Sequence, residues 1–200
     1  MDLNIKNTPK RARKKDLILD SAANIFSQYG YHNTKLEQVT SSLKLTDKSI
    51  YYYFTSKGDL FIEVILRIQD HLDELITNVE VMECDHLTKI KFYTSKAMNI
   101  NGLILLLQVP KSILDFAKYD QIKINEINQY IHWANWFQAG QLDGSIIKGN
   151  PEEQRNFLFG SLFYLHYWST IKSNNGYEQT HPFIESMIDR MFSTKYIISS

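Results

Sequence analysis

Apolar positions along the chain recur at helical rather than alternating spacing. Ile18, Ala22, Ile25, Phe26 and Tyr29 stand at steps of three and four, predicting an amphipathic helix over 16–29 that Gly30 ends. Thr34-Lys35-Leu36-Glu37 reads as a capping box opening a short helix, with Leu36, Val39 and Leu43 inside. Thr46 then offers a second N-cap, and Asp47 behind it suits the positive end of a helix dipole. Ile50 and Phe54, four apart, form the buried stripe of that third helix. Thr55 or Ser56 caps a long helix over 57–77, with Leu60, Phe61, Val64, Ile65, Ile68, Leu72, Leu75 and Ile76 on one side.

Beyond this point the same period continues. Leu87–Met98 predicts one helix, and Leu103–Tyr119 another, broken or restarted at Pro110. A helix over Ile122–Gly140 is followed by a turn-rich stretch from Gly140 to Asn150. Asn150-Pro151-Glu152-Glu153 is a complete helix start, with a cap, proline at the first position and acid in the first turn. That helix runs to about Ile171, and Pro182–Ile197 closes the chain. No strand-like alternation and no internal repeat occurs, so the fold class is all-α.

The first sixty residues thus hold three short helices, the second and third separated by about three residues, which is helix-turn-helix spacing. A generic three-helix bundle would use the same apolar pattern. What separates the two is the outward side of the third helix, where Asp47, Lys48, Ser49, Tyr51 and Tyr52 can all form hydrogen bonds. Three consecutive tyrosines point about 100° apart on a helix, so at least one of Tyr51, Tyr52 and Tyr53 must face outward.

Charge sharpens this. The chain has 22 basic and 22 acidic side chains, yet residues 1–58 carry ten of the bases and five of the acids. The first part is therefore basic and the remainder acidic, which directs any nucleic-acid contact to the N-terminal part. Six of the bases lie within residues 6–15, and a solvated basic tail would explain them equally well. The single cysteine, Cys84, excludes an internal disulfide and a cysteine-based zinc site and suits a reducing cytosol. The N-terminus lacks an apolar signal region, and the longest apolar runs fall short of the roughly 20 residues that span a bilayer. A soluble, cytoplasmic protein with no membrane partner is expected.

The stretch "TKLEQVTSSLKLTDKSIYYYFTSKGDLF" resembles the DNA-binding region of TetR/AcrR-family transcriptional regulators. The resemblance rests on Thr34, Val39, Leu45, Thr46, Ser49, Ile50, Tyr51, Tyr53, Phe54, Ser56, Lys57, Asp59 and Leu60, and covers about residues 12–62. It departs from the family pattern at Leu43-Lys44, where Ala-Gly is usual, at Thr40 in place of Ala, and at Asp47-Lys48. Lys44 must manage a turn that glycine normally eases.

The resemblance implies a basic flexible arm over 1–15, a helix-turn-helix domain over 12–58, and a helical effector-binding and dimerisation domain over 59–200. The three-helix head would be joined to the rest by the long helix. Lys48 would meet a guanine edge, and Asp47 would either accept from a cytosine amino group or simply cap. Ser49 lies in the same first turn. Tyr51 and Tyr52 would reach the major groove and backbone, and Tyr53 would stand at the family's phosphate contact. Thr34 and Lys57 would serve the phosphates from helix starts, with Lys35 and Thr46 in the same DNA-binding set. For Thr34, pure capping is compatible with that role.

One such head reads few base pairs, so a homodimer on a palindromic double-stranded operator is expected. The last two long helices are the candidate interface, through Phe157, Gly160, Ser161, Tyr164, Trp168, Met187 and Met191. Phe92, Phe116, Tyr130, Trp133, Trp136, Phe137 and Tyr167 are candidates for a pocket taking a small hydrophobic or aromatic effector, although aromatics at helical spacing more often fill a core. His132 and His166 read as buried, partnered histidines, and no spacing suggests a metal or cofactor. No Gly-rich phosphate loop, G-x-S-x-G or Cys/His pair indicates an enzyme. The expectation is a ligand-responsive repressor; the alternative is an architectural or division-control DNA-binding protein on the same scaffold.

Overall fold

The computed structural model describes residues 9–110, 113, 118–172 and 181–196, without the side chains of residues 47, 166–172 and 181. Eight α-helices are present among them: α1 (Pro9–Asn33), α2 (Leu36–Ser42), α3 (Asp47–Tyr51), α4 (Lys57–Glu80), α5 (His86–Ala97), α6 (Tyr119–Leu142), α7 (Pro151–Lys172) and α8 (His181–Phe192). The only β pairing among the described residues is the single bridge between Ile146 and Ser193.

Helix α1 starts earlier than the apolar periodicity predicts. Residues 9–15, expected as part of a flexible arm, form its first two turns, while residues 1–8 lie outside the described part. Proline suits the first helical turn and lysine and arginine are good helix formers, so nothing local opposes the extension. Tertiary contacts favour it further, since Lys15 Nζ lies 2.8 Å from Glu63 Oε2 on α4. On the same side Ile18, Ala22 and Phe26 are fully buried. The helical path breaks at Gly30, whose φ of 74° is open to glycine.

The capping box suggested at Thr34 and Glu37 is displaced by one residue. Lys35 is the N-cap of α2, and its backbone N–H donates to Gln38 Oε1 at 2.7 Å. Thr34 is instead buried, donating its hydroxyl to the Gly30 carbonyl at 2.8 Å. In the turn to α3, Lys44 adopts φ 53°, the left-handed conformation that its departure from glycine makes costly. Of the two candidate caps of α4, Ser56 is used, accepting from the Asp59 N–H at 3.0 Å.

Helix α4 is the spine, packed against α1, α5 and α6. Between α5 and α6 the chain departs from the expected helix. Leu103–Leu107 is a short 3-10 helix whose N-cap, Gly102, has φ 82°. A Cβ there would stand 3.1 Å from Ile68 and 3.2 Å from Ala23, so this turn fits against α4 and α1 only without a side chain. Of residues 111–117 only Ile113 is described, and it is buried. Asn150 caps α7 as its sequence predicts, accepting from the Glu152 N–H at 2.9 Å. The closing helix ends at Phe192 rather than Ile197, and a 3-10 turn, Thr194–Tyr196, follows. No helix among the described residues is long and apolar enough to cross a membrane.

Candidate nucleic-acid interface and effector cavity

Helix α3 is only five residues long, and its sides are sharply divided. Ile50 and Phe54 are 0% and 1% exposed, whereas Tyr51 and Tyr52 are 58% and 61% exposed. Two large aromatic side chains are thus held in water by an anchored helix instead of filling a core. Lys48 is exposed beside them, Ser49 and Tyr53 are half-buried, and the Asp47 side chain lies outside the described residues. Thr46 is the N-cap, with its hydroxyl 3.0 Å from that of Ser49.

Two residues that sequence reasoning assigned to phosphates are held elsewhere. Thr34 is 2% exposed and its hydroxyl is spent on the Gly30 carbonyl, so it closes the end of α1 instead of capping α2. Lys57 turns its ammonium to the end of α1, donating to the carbonyls of Tyr31 at 2.8 Å and Thr34 at 2.9 Å. A cation over the free carbonyls of a helix end satisfies groups that have no partner within the helix. Lys35 remains exposed at the start of α2.

A residue not assigned from sequence completes this face. Arg11 places its guanidinium 5.0 Å from the Tyr52 ring and 6.0 Å from the Tyr53 ring. Its position within a basic run carried no signal for that stacking, which needs the extension of α1.

The second feature is a cavity of about 510 Å³ among α4, α5, α6, α7 and the 3-10 turn. Tyr130 and Trp133 line it, as do Tyr93, Tyr119, Phe159 and Phe163. The other aromatics expected there are placed differently. Trp136 is buried and donates from Nε1 to Glu80 Oε1 at 2.8 Å, and Phe137 is buried against Phe192. Phe92 is on the surface, because its neighbour Tyr93 takes the inward position on α5. Phe116 and the side chain of Tyr167 lie outside the described residues. Burial pushes the Tyr93 phenol up from its ordinary pKa, with Trp133 partly offsetting the effect.

The cavity also holds polar groups. Lys123 and Glu126 pair at 2.6 Å, and Arg155 stacks with its guanidinium carbon 3.4 Å from the centre of the Tyr130 ring. Arg155 gave no sequence signal, lying in the first turns of a helix otherwise read as apolar. His132 Nε2 sits 2.6 Å from Glu80 Oε1, a partnered histidine. Among the described residues no group of three metal-ligating side chains stands together.

Cavity and reading head are joined through α4. At the start of α6, next to cavity-lining Tyr119, Lys118 bonds Glu63 and lies 3.3 Å from Asp59, both on α4. Burial alone would raise the Glu63 carboxyl, but hydrogen bonds from Lys118 and Lys15 outweigh it and hold it below the usual range. Deeper in, the fully buried Gln69 donates to the Ile122 carbonyl at 3.0 Å and accepts from Asn125 at 3.1 Å.

On the far side of α7, Phe157 and Tyr164 are 59% and 63% exposed, with Gly160 exposed between them and Ser161 half-buried. On α8 Phe183 is exposed, Met187 is half-buried, and Met191 packs on the core. The Trp168 side chain lies outside the described residues.

Comparison with known proteins agrees with this geometry. The family model for bacterial regulatory proteins of the tetR family matches residues 18–64, from α1 into α4. The HTH-type transcriptional regulator RutR of Escherichia coli (strain K12) is 41% identical over 70 residues, 33% of this chain and 33% of RutR. The chain thus matches about a third of RutR's length. The biofilm operon icaADBC HTH-type negative transcriptional regulator IcaR of Staphylococcus aureus (strain Newman) is 26% identical over 157 residues, 77% of this chain and 81% of IcaR. Among solved structures, AibR in complex with isovaleryl coenzyme A and operator DNA superposes with a TM-score of 0.73 at 14% identity, over 90% of this chain and 98% of AibR. The ketosteroid transcriptional regulator KstR2 of Mycobacterium tuberculosis does so with a TM-score of 0.70 at 13% identity, over 94% and 96%. Residues 18–64 thus match the helix-turn-helix of bacterial regulatory proteins of the tetR family, on a fold shared nearly end to end with these solved structures.

Proposed function

We propose that this protein is a sequence-specific DNA-binding transcriptional regulator, a ligand-responsive repressor that binds a palindromic operator as a homodimer. The observation that carries the reading is the exposed Lys48-Tyr51-Tyr52 surface of α3, fixed to the domain by buried Ile50 and Phe54. Lys48 donates to a base edge, and Tyr52 and Arg11 contact the backbone and groove beside it. The printed descriptions of IcaR as a negative regulator and of AibR bound to operator DNA support the same reading. The exposed row Phe157, Gly160 and Tyr164 on α7 supports dimerisation, since such an apolar face is unusual on a monomer.

The effector occupies the cavity and displaces the start of α6. Lys118 and Gln69 pass that shift to α4, which alters the separation of the two reading heads and lowers operator affinity.

Binding of the purified protein to DNA upstream of its own and neighbouring genes tests the proposal. Lys48→Ala and Tyr52→Phe should each weaken specific binding about tenfold, as expected for loss of roughly 1–3 kcal/mol per good base contact, without lowering the melting temperature. Affinity unchanged at matched salt would remove that residue from the interface. Absence of any preferred site would overturn the reading.

A further inference from the structure

The cavity wall carries more information than its apolar area. Its charged residues are Lys123, Glu126 and Arg155. Lys123 and Glu126 neutralise each other at 2.6 Å. Arg155 is left with no ion pair among the described residues; its described contacts are a hydrogen bond to Asn156 and stacking on Tyr130 and Phe159. Its Nε is buried without a hydrogen-bond partner. Burial lowers its pKa from the ordinary value, the sign of a cation poorly served by its surroundings. A second polar group on the same wall is also unsatisfied: Thr94 is 2% exposed, and its Oγ1 has no hydrogen-bond partner. Buried polar atoms in native proteins are nearly always paired, so Arg155 Nε, Thr94 Oγ1 and the Trp133 Nε1 beside them, all without a partner on one cavity wall, point to a bound molecule.

Resting on the regulator reading, we infer that the effector is an amphipathic monocarboxylate, with its carboxylate on Arg155, a polar contact to Thr94 Oγ1, and an apolar body against Leu103, Leu106 and Leu162. A planar guanidinium with an unused Nε–H matches a carboxylate's two oxygens. A cationic ligand is disfavoured, because Arg155 already covers the Tyr130 ring and Glu126 is taken by Lys123. At roughly 30 Å³ per water-sized atom, the cavity of about 510 Å³ holds about seventeen non-hydrogen atoms. That leaves room for a medium-chain or aryl-substituted carboxylic acid.

The test compares decanoate and 4-phenylbutyrate with decanol, 4-phenylbutanol and decyltrimethylammonium on the full chain, by calorimetry and by fluorescence of Trp133 in the cavity wall. At least one carboxylate should bind at least tenfold more tightly than its alcohol, with the ammonium weakest. Arg155→Gln should abolish that preference, Arg155→Lys should retain part of it, and Thr94→Val should weaken the acid severalfold. Equal binding of acid and alcohol in the wild type, tighter binding of the ammonium, no binding of either acid, or an intact preference in Arg155→Gln would each overturn the inference. DNA binding is measured on the same samples without ligand. A protein that binds its operator but prefers no carboxylate refutes this inference alone. One that binds carboxylate but no DNA refutes the regulator reading instead.

Discussion

Lys57 illustrates how a residue that matches a family pattern can have a use that sequence does not disclose. Its ammonium donates to three carbonyls, of Tyr31, His32 and Thr34, at and just beyond the end of α1 and lies 4.6 Å from the Tyr31 ring centre, so it ties α4 to α1. Lys57→Met should therefore destabilise the protein by about 2 kcal/mol, seen as a melting temperature roughly 4–8 °C lower. A variant that melts like the wild type yet loses DNA affinity would return Lys57 to the phosphate role. Residue-level properties that depend on neighbours close in sequence were legible beforehand. Ile50 and Phe54 turn inward and Tyr51 outward because helix geometry alone sets those directions. The destinations of Lys57, Thr34 and Arg11 were not legible, because each long or hydroxyl-bearing side chain meets a partner on another helix or a preceding turn.

At the scale of elements, capping and period placed most helices, and tertiary contact moved their ends. The link from α6 to α7 shows what fixes such an end. His86 at the start of α5 binds Asp143 after α6 through both its backbone N–H, at 3.0 Å, and its Nδ1, at 2.6 Å. Burial alone would raise the Asp143 carboxyl, but hydrogen bonds from Ser145 and His86 outweigh it and lower the pKa to about 2. A carboxyl depressed in the folded state stabilises above its unfolded pKa, near 3.9, and that stabilisation is lost as pH falls towards 2. Asp143→Asn should accordingly cost about 1 kcal/mol at neutral pH and flatten the stability profile between about pH 4 and pH 2. Denaturant unfolding across that range measures it, and an unchanged acid limb would show the contact to be inert. The expected helix over Leu103–Tyr119 opens instead as a 3-10 turn over Leu103–Leu107 for a related reason: its N-cap, Gly102, is held close to Ala23 and Ile68.

At the scale of the whole molecule, the two features that matter to function are far apart in sequence and joined by α4. Lys118 is the joint most open to test, since it binds Asp59 and Glu63 while its neighbour Tyr119 faces the cavity. Lys118→Met should leave operator affinity without effector close to wild type. It should reduce the effector-induced loss of affinity by roughly two- to fivefold, the scale of a part-exposed charge contact within an allosteric coupling. Titration of operator complexes with an effector that releases the wild type measures this. An unchanged response would show that Gln69 and apolar packing carry the coupling without Lys118.

Local pattern by itself determined that the chain is all-helical, that its N-terminal part has helix-turn-helix spacing and a basic excess, and which side of α3 faces outward. These follow from helical period, caps and charge, which act over a few residues. Only the tertiary structure decided that the start of the basic arm's helix is stacked on the tyrosines, that Trp136 and Phe137 are core while Tyr130 and Trp133 face a cavity, and that Arg155 stands in its wall without an ion pair among the described residues. An aromatic stripe looks the same in sequence whether its partner is another side chain or empty space. Only the packing of α4, α5, α6 and α7 determines which of the two it meets.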